Sequence, residues 1–207
     1  MPEETTQILL IRHGETEHNV AGLIQGQTDS LLTPLGRSQA NLLAAKVSDL
    51  KVDALYASPL TRAVDTAIIL GASLGLKPTI DGRLAETSFG EVEGKTWSEI
   101  AEEFGKESAA WYHHEKDACF PGGETRGEAK ERSMAFLKEV AEKHRGGRVA
   151  AVTHGGILSG LFAHILKIPD GIRPRCQILN TSLNIVLYKK GRFNIQTWGD
   201  ISHLNGL

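Results

Sequence analysis

Short runs of consecutive apolar residues alternate along the chain with longer stretches in which apolar residues return every three or four positions. Ile8-Leu9-Leu10-Ile11 stops at Arg12-His13-Gly14, which predicts a strand buried on both faces that empties into a polar loop. Thr33-Pro34 supplies an N-cap followed by a first-turn proline, and Leu35, Leu42, Leu43, Val47 and Leu50 recur at helical spacing, so a helix is predicted to about residue 50. Residues 52–57 read as a second strand. Ser58-Pro59 repeats the cap-and-proline signal before a helix over 63–74, and 77–80 form a weak third strand.

From 83 to 123 the pattern loosens around Gly90, Gly94, Gly105, Gly122 and Gly123, with short helical pieces, one opened by the capping box Thr96-x-x-Glu99. A second box, Thr125-x-x-Glu128, starts a helix to about His144. A strand over 148–152 and a helix over 157–166 follow. Residues 178–189 and 193–198, joined across Lys190-Gly191, predict a hairpin. The alternation implies an α/β fold: a three-layer α/β/α sandwich on a mostly parallel sheet, closed by a C-terminal hairpin. Neither a repeat nor a linker interrupts it, so 1–207 is read as one domain in which 87–123 is a lid-like insertion.

Composition narrows the classes of function. With 23 Lys plus Arg against 25 Asp plus Glu, the chain lacks the basic excess of an electrostatically driven nucleic-acid binder. Its apolar runs are far shorter than the roughly 18 residues a membrane helix needs, so no membrane partner is expected. The first residues lack the charged and apolar regions of a secretory signal, and two distant cysteines, Cys119 and Cys176, make no zinc or redox spacing. A reducing cytoplasm is the expected setting, and a homodimer is left open.

Ligands of parallel sheets collect beyond the carboxyl ends of the strands. There the chain places Arg12-His13-Gly14-Glu15-Thr16, then Ser58-Pro59 leading to Arg62, then Thr153-His154-Gly155-Gly156. Two arginines and two histidines without carboxylate or thiolate company suit a phosphate better than a metal: Arg offers a planar fork of donors, and His can donate or attack. Gly155-Gly156 at a helix start adds backbone N–H groups.

Other signals are weaker. Gly90-Glu91-Val92-Glu93-Gly94-Lys95-Thr96 has three residues between its glycines where a P-loop needs four. His113 and His114 are adjacent, so they point apart on a helix and are read as lid wall. The charges over 138–143 read as a solvated helix face.

The residues resemble the histidine phosphatase superfamily, in its phosphoglycerate mutase-like branch. The resemblance runs through Arg12-His13-Gly14-Glu15-Thr16 with Asn19, Gln25-Gly26-x-x-Asp29, Ser58-Pro59-x-x-Arg62-Ala63 and Leu84-x-Glu86. It continues through Pro121-Gly122-Gly123-Glu124, Thr153-His154-Gly155-Gly156, Asn180-x-Ser182 and His203-Leu204. It implies phosphoryl transfer to His13, with its second ring nitrogen held by a carbonyl at Gly14. Glu86 is implied as general acid and base, and Arg12, Asn19, Gln25, Arg62 and His154 as the phosphate pocket. It implies neither metal nor cofactor, and a small phosphorylated metabolite as substrate. Family members of this length are often phosphatases. The cofactor-dependent phosphoglycerate mutases usually carry a longer, more basic insert after the acidic residue, whereas here 86–124 is compact, its basic residues being Lys95, Lys106 and Lys116 besides two histidines. Mutase is thus the enzymatic alternative, and a catalytically silent phosphate-binding module the alternative of another class.

Overall fold

The computed structural model describes residues 4–169, 171–172 and 174–207. Its centre is a six-stranded sheet of β1 (Thr6–Arg12), β2 (Ala54–Ala57), β3 (Thr79–Ile80), β4 (Arg148–Thr153), β5 (Leu183–Lys189) and β6 (Arg192–Asp200), ordered β3-β2-β4-β1-β5-β6. The first four strands are mutually parallel, and β5 and β6 add an antiparallel hairpin beyond β1. The helices are α1 (Glu17–Ala21), α2 (Pro34–Val47), α3 (Thr61–Leu74), α4 (Trp97–Glu103), α5 (Gly105–Tyr112), α6 (Arg126–Lys143) and α7 (Gly155–Ile165).

The unbroken apolar run of β1 is explained by burial on both faces. Ile8 and Leu10 join Phe136, Leu137 and Val140 of α6 and Leu158 and Leu161 of α7, while Leu9 and Ile11 join Leu43 and Val47 of α2 and Ala67 and Leu70 of α3. A third cluster, Val92, Ile100, Trp111 and Phe120, gives the 87–123 segment a small core of its own. The charged residues over 138–143 face outward while Val140 and Ala141 point in. No helix among the described residues is long and apolar enough to cross a membrane.

Several boundaries differ from the sequence expectation for physical reasons. Leu43 and Val47 of α2 turn inward as expected, but Leu35 and Leu42 are exposed, and Gly36, Ala40 and Ala44 complete the buried face. Gly36 lies so close to the Glu15 backbone that a Cβ would stand 2.1 Å from the Glu15 carbonyl oxygen, and that contact sets the rotation of the helix. Helix α3 begins at Thr61, with Leu60 in the N-cap position and no side-chain cap; Ser58 does not cap it. Strand β5 begins at Leu183 rather than 178, because Thr181 takes a left-handed φ of 56° and donates its N–H to the carbonyls of Arg12 and His13.

Candidate active site

The register of β1 on β4 builds the site. Arg12 pairs with Thr153 across the parallel ladder, so the next residue of each strand, His13 and His154, emerges side by side, their ring centroids 5.1 Å apart. Strand β2 continues the same edge: the Ser58 N–H donates to the Val152 carbonyl at 3.0 Å, which brings the Ser58 hydroxyl 2.7 Å from Nε2 of His154.

His13 is 2% exposed, and its Nδ1 lies 2.7 Å from the Gly14 carbonyl oxygen. A carbonyl only accepts, so Nδ1 carries the proton and Nε2 keeps its lone pair. Burial first, then the positive charges of Arg12 and Arg62, hold the imidazole well below its ordinary pKa of 6.5. The ring is therefore neutral at physiological pH. The following loop is held in place by Thr66, whose hydroxyl accepts the Gly14 N–H at 3.0 Å and donates to the Arg62 carbonyl at 2.7 Å.

Arg62 is 1% exposed and rigidly placed. Its Nη1 and Nη2 donate to the Thr28 and Gly26 carbonyls, and its Nε donates to Nδ1 of His154 at 3.3 Å. With Nδ1 accepting, His154 donates from Nε2 to Ser58. Burial first, then the repulsion that a second proton on the neighbouring His13 ring would meet and the positive charges of Arg62, Arg12 and Arg132, keep this imidazole too well below 6.5. Arg12 donates from Nη1 to the Ile178 carbonyl at 2.6 Å, while its Nε is buried with no acceptor among the described residues. Burial lowers the pKa of both arginines, and the negative charge of Glu86 opposes that shift on each. A guanidinium N–H withdrawn from water without a partner is costly, and its presence beside a second guanidinium and the first turn of α7 defines a pocket for an anion.

Glu86 stands at the edge of this pocket. Its Oε2 accepts the Gly156 N–H at 3.0 Å, and its Oε1 accepts the Thr87 N–H at 2.8 Å. Glycine at 156 is what allows the approach, since a Cβ there would lie 2.4 Å from Oε1. Asn19 and Gln25 reach the site through Thr16, whose hydroxyl donates to either side-chain oxygen, and Asn180 donates to both Asn19 and the His13 carbonyl. All seven residues singled out in the sequence thus belong to one neighbourhood. A cleft of about 950 Å³ opens beside it, walled by Thr87 and Gly156 at the Glu86 end and by Phe89, Trp111, Tyr112 and Arg126 further out.

Sequence reasoning overlooked Arg132. This residue of α6 donates to the carbonyls of Arg83, Ala85 and Glu86 and to both oxygens of Glu124. In the sequence it is indistinguishable from the solvated charges around it; only its neighbour Glu124 carries a motif signal. Gln27, which donates to the Glu86 carbonyl, also gave no signal.

A buried neutral imidazole between guanidiniums, at the carboxyl ends of parallel strands, defines a class: α/β proteins that bind phosphate and present it to a histidine. A family model described as the histidine phosphatase superfamily (branch 1) matches residues 8–201, and the chain belongs to that superfamily. It is 36% identical over 207 residues to a metal-independent phosphoserine phosphatase of Arabidopsis thaliana, covering 99% of this chain and 85% of the other. Phosphoglycerate mutase-like protein 4 of the same plant is 35% identical over 202 residues, covering 96% and 86%. Among solved structures, Bacillus stearothermophilus YhfR superposes with a TM-score of 0.91 at 30% identity, covering 96% of this chain and 99% of that one.

Proposed function

We propose that the protein is a metal-independent phosphatase that hydrolyses phosphomonoesters through a phosphohistidine on His13. Nε2 of His13 attacks phosphorus; the N–P bond forms as the P–O bond to the leaving group breaks, and Glu86 gives its proton to the departing oxygen. Water then attacks phosphorus, Glu86 takes its proton, and the N–P bond breaks to release inorganic phosphate. Arg12 and Arg62 offset the charge on the equatorial oxygens, His154 steadies the Arg62 fork, and Asn19 and Gln25 line the rim. The leaving group lies in the cleft that begins at the N–H partners of Glu86, with the 87–123 segment as its lid-like wall.

The observation that carries this reading is the buried His13 ring, with Nδ1 tied to the Gly14 carbonyl and with burial and the guanidiniums of Arg12 and Arg62 holding its pKa down. The name of the plant phosphatase supports hydrolysis and makes phosphoserine the first substrate to try. Cys119 and Cys176, both free thiols, accord with a reducing cytoplasm. The decisive experiment measures phosphate release from p-nitrophenyl phosphate and phosphoserine. Turnover should survive EDTA, because guanidiniums rather than a cation offset the phosphate charge, and should vanish in His13→Ala; activity indifferent to His13→Ala refutes the assignment. The mutase-like relative favours a second reading. It prevails when a primed enzyme interconverts 2- and 3-phosphoglycerate faster than it releases phosphate.

A further inference from the structure

Glu86 lies on a stretch that belongs to neither helix nor sheet. Residues 85–89 follow a short 3₁₀ turn, Gly82–Leu84, and precede another, Gly90–Val92. Such a segment has no ladder to fix its backbone, yet a general acid must be held to within about half an ångström of its productive position. One side chain, with help from Gln27 at the Glu86 carbonyl, supplies most of what the ladder does not. Nη1 of Arg132 donates to the Arg83 carbonyl at 2.8 Å and the Ala85 carbonyl at 2.7 Å, and Nη2 donates to the Glu86 carbonyl at 3.1 Å. Nε and Nη2 also clasp the Glu124 carboxylate at 3.0 and 2.5 Å. All five guanidinium donors are therefore used. Glu124 closes the loop from the far side: its Oε1 accepts the Ser88 N–H, and its own N–H donates to the Ser88 carbonyl, both at 2.9 Å. The two side chains are 21% and 19% exposed, so water competes weakly for these bonds.

We propose that Arg132, braced by Glu124, is a positioning residue: it fixes the backbone of 83–88 so that the Glu86 carboxyl is aimed at the leaving oxygen. The inference rests on the phosphatase reading above and deepens it. Arg132 touches no reacting atom in this scheme, and it acts on the leaving group through Glu86. A lysine cannot replace it, because three donors on a single point cannot span three carbonyls and a carboxylate.

The test is the dependence of kcat/KM on the leaving group, since this quantity reports events up to the first irreversible step, when the P–O bond breaks. Phosphoserine, whose alkoxide needs a proton, is compared with p-nitrophenyl phosphate, whose phenoxide does not. Glu86→Gln sets the benchmark, with a loss of about 10²-fold or more on phosphoserine and far less on the aryl ester. Arg132→Met should show the same selectivity at roughly 10-fold or more on phosphoserine, Arg132→Lys should fail to rescue it, and Arg132→Met added to Glu86→Gln should cost nothing further. Equal losses on both esters, or additive losses in the double variant, would show a merely structural role and overturn the proposal. Should Arg132→Met fail to fold, Glu124→Gln, which keeps the shape of the brace and removes its charge, decides the matter by the same selectivity. Wild-type protein that releases phosphate from neither ester would overturn the phosphatase reading itself.

Discussion

Both imidazoles of the site are buried and neutral, and that has a consequence for stability. His13 and His154 are held well below 6.5 by burial and by the neighbouring positive charges, whereas in the unfolded chain they take up protons as pH falls through that value. The unfolded state then binds more protons, so acidification costs up to about 1.4 kcal/mol per pH unit for each such histidine. His144 and His203, also lowered mainly by burial, act in the same direction. Asp200, lowered to about 2 from 3.8 by its bonds to Lys46 and Ser202 against the opposing effect of burial, loses its contribution only below about pH 4. Thermal melts between about pH 7 and about pH 5 should therefore show a falling Tm, and His13→Gln should flatten the slope. A Tm constant over that window would mean that the rings titrate normally in the folded chain.

Among the elements, the first turn of α7 matters most to the site. Its two glycines look alike in the sequence but differ in their surroundings: a Cβ at 155 would meet the Arg12 guanidinium at an ordinary 3.6 Å, whereas one at 156 would collide with the Glu86 carboxyl. Gly156→Ala should leave the fold intact, since alanine favours a helix over glycine by about 1 kcal/mol, while pushing Glu86 off its N–H partner. A drop in kcat/KM on phosphoserine of about 10-fold or more is expected, against little change for Gly155→Ala. Equal behaviour of the two variants would contradict the close approach. The same reasoning applies to α2, where Gly36 packs on the Glu15 backbone and turns inward with Leu43, while Leu35 and Leu42 face out.

For the molecule as a whole, the sheet brings the proposed phosphate pocket and the cleft proposed for the leaving group to one edge but builds them from different parts. Guanidiniums and imidazoles stand at the strand ends, while the cleft lies between α7 and the 87–123 segment. Gly160 lines this cleft, and a Cβ there meets nothing within 4 Å. Gly160→Trp should therefore obstruct bulky leaving groups with little effect on the core. Naphthyl phosphate should lose about 10-fold or more in kcat/KM relative to p-nitrophenyl phosphate. An unchanged ratio would place the leaving group elsewhere.

Sequence by itself determined whatever depends on near neighbours. The double-sided apolar runs marked the central strands, the boxes Thr96-x-x-Glu99 and Thr125-x-x-Glu128 opened α4 and α6 as read, and the residues just beyond β1 and β4 marked the site. Tertiary structure decided what depends on partners distant along the chain. The register of β1 on β4 set His13 beside His154, the left-handed turn at Thr181 diverted an expected strand beneath the loop of His13, and Ser58 was drawn from a predicted cap to an imidazole. Arg132 is the sharpest instance. A guanidinium on an outward-looking charged helix carries no local mark of burial, and only the folding of 83–88 and Glu124 around α6 gives its five donors their acceptors.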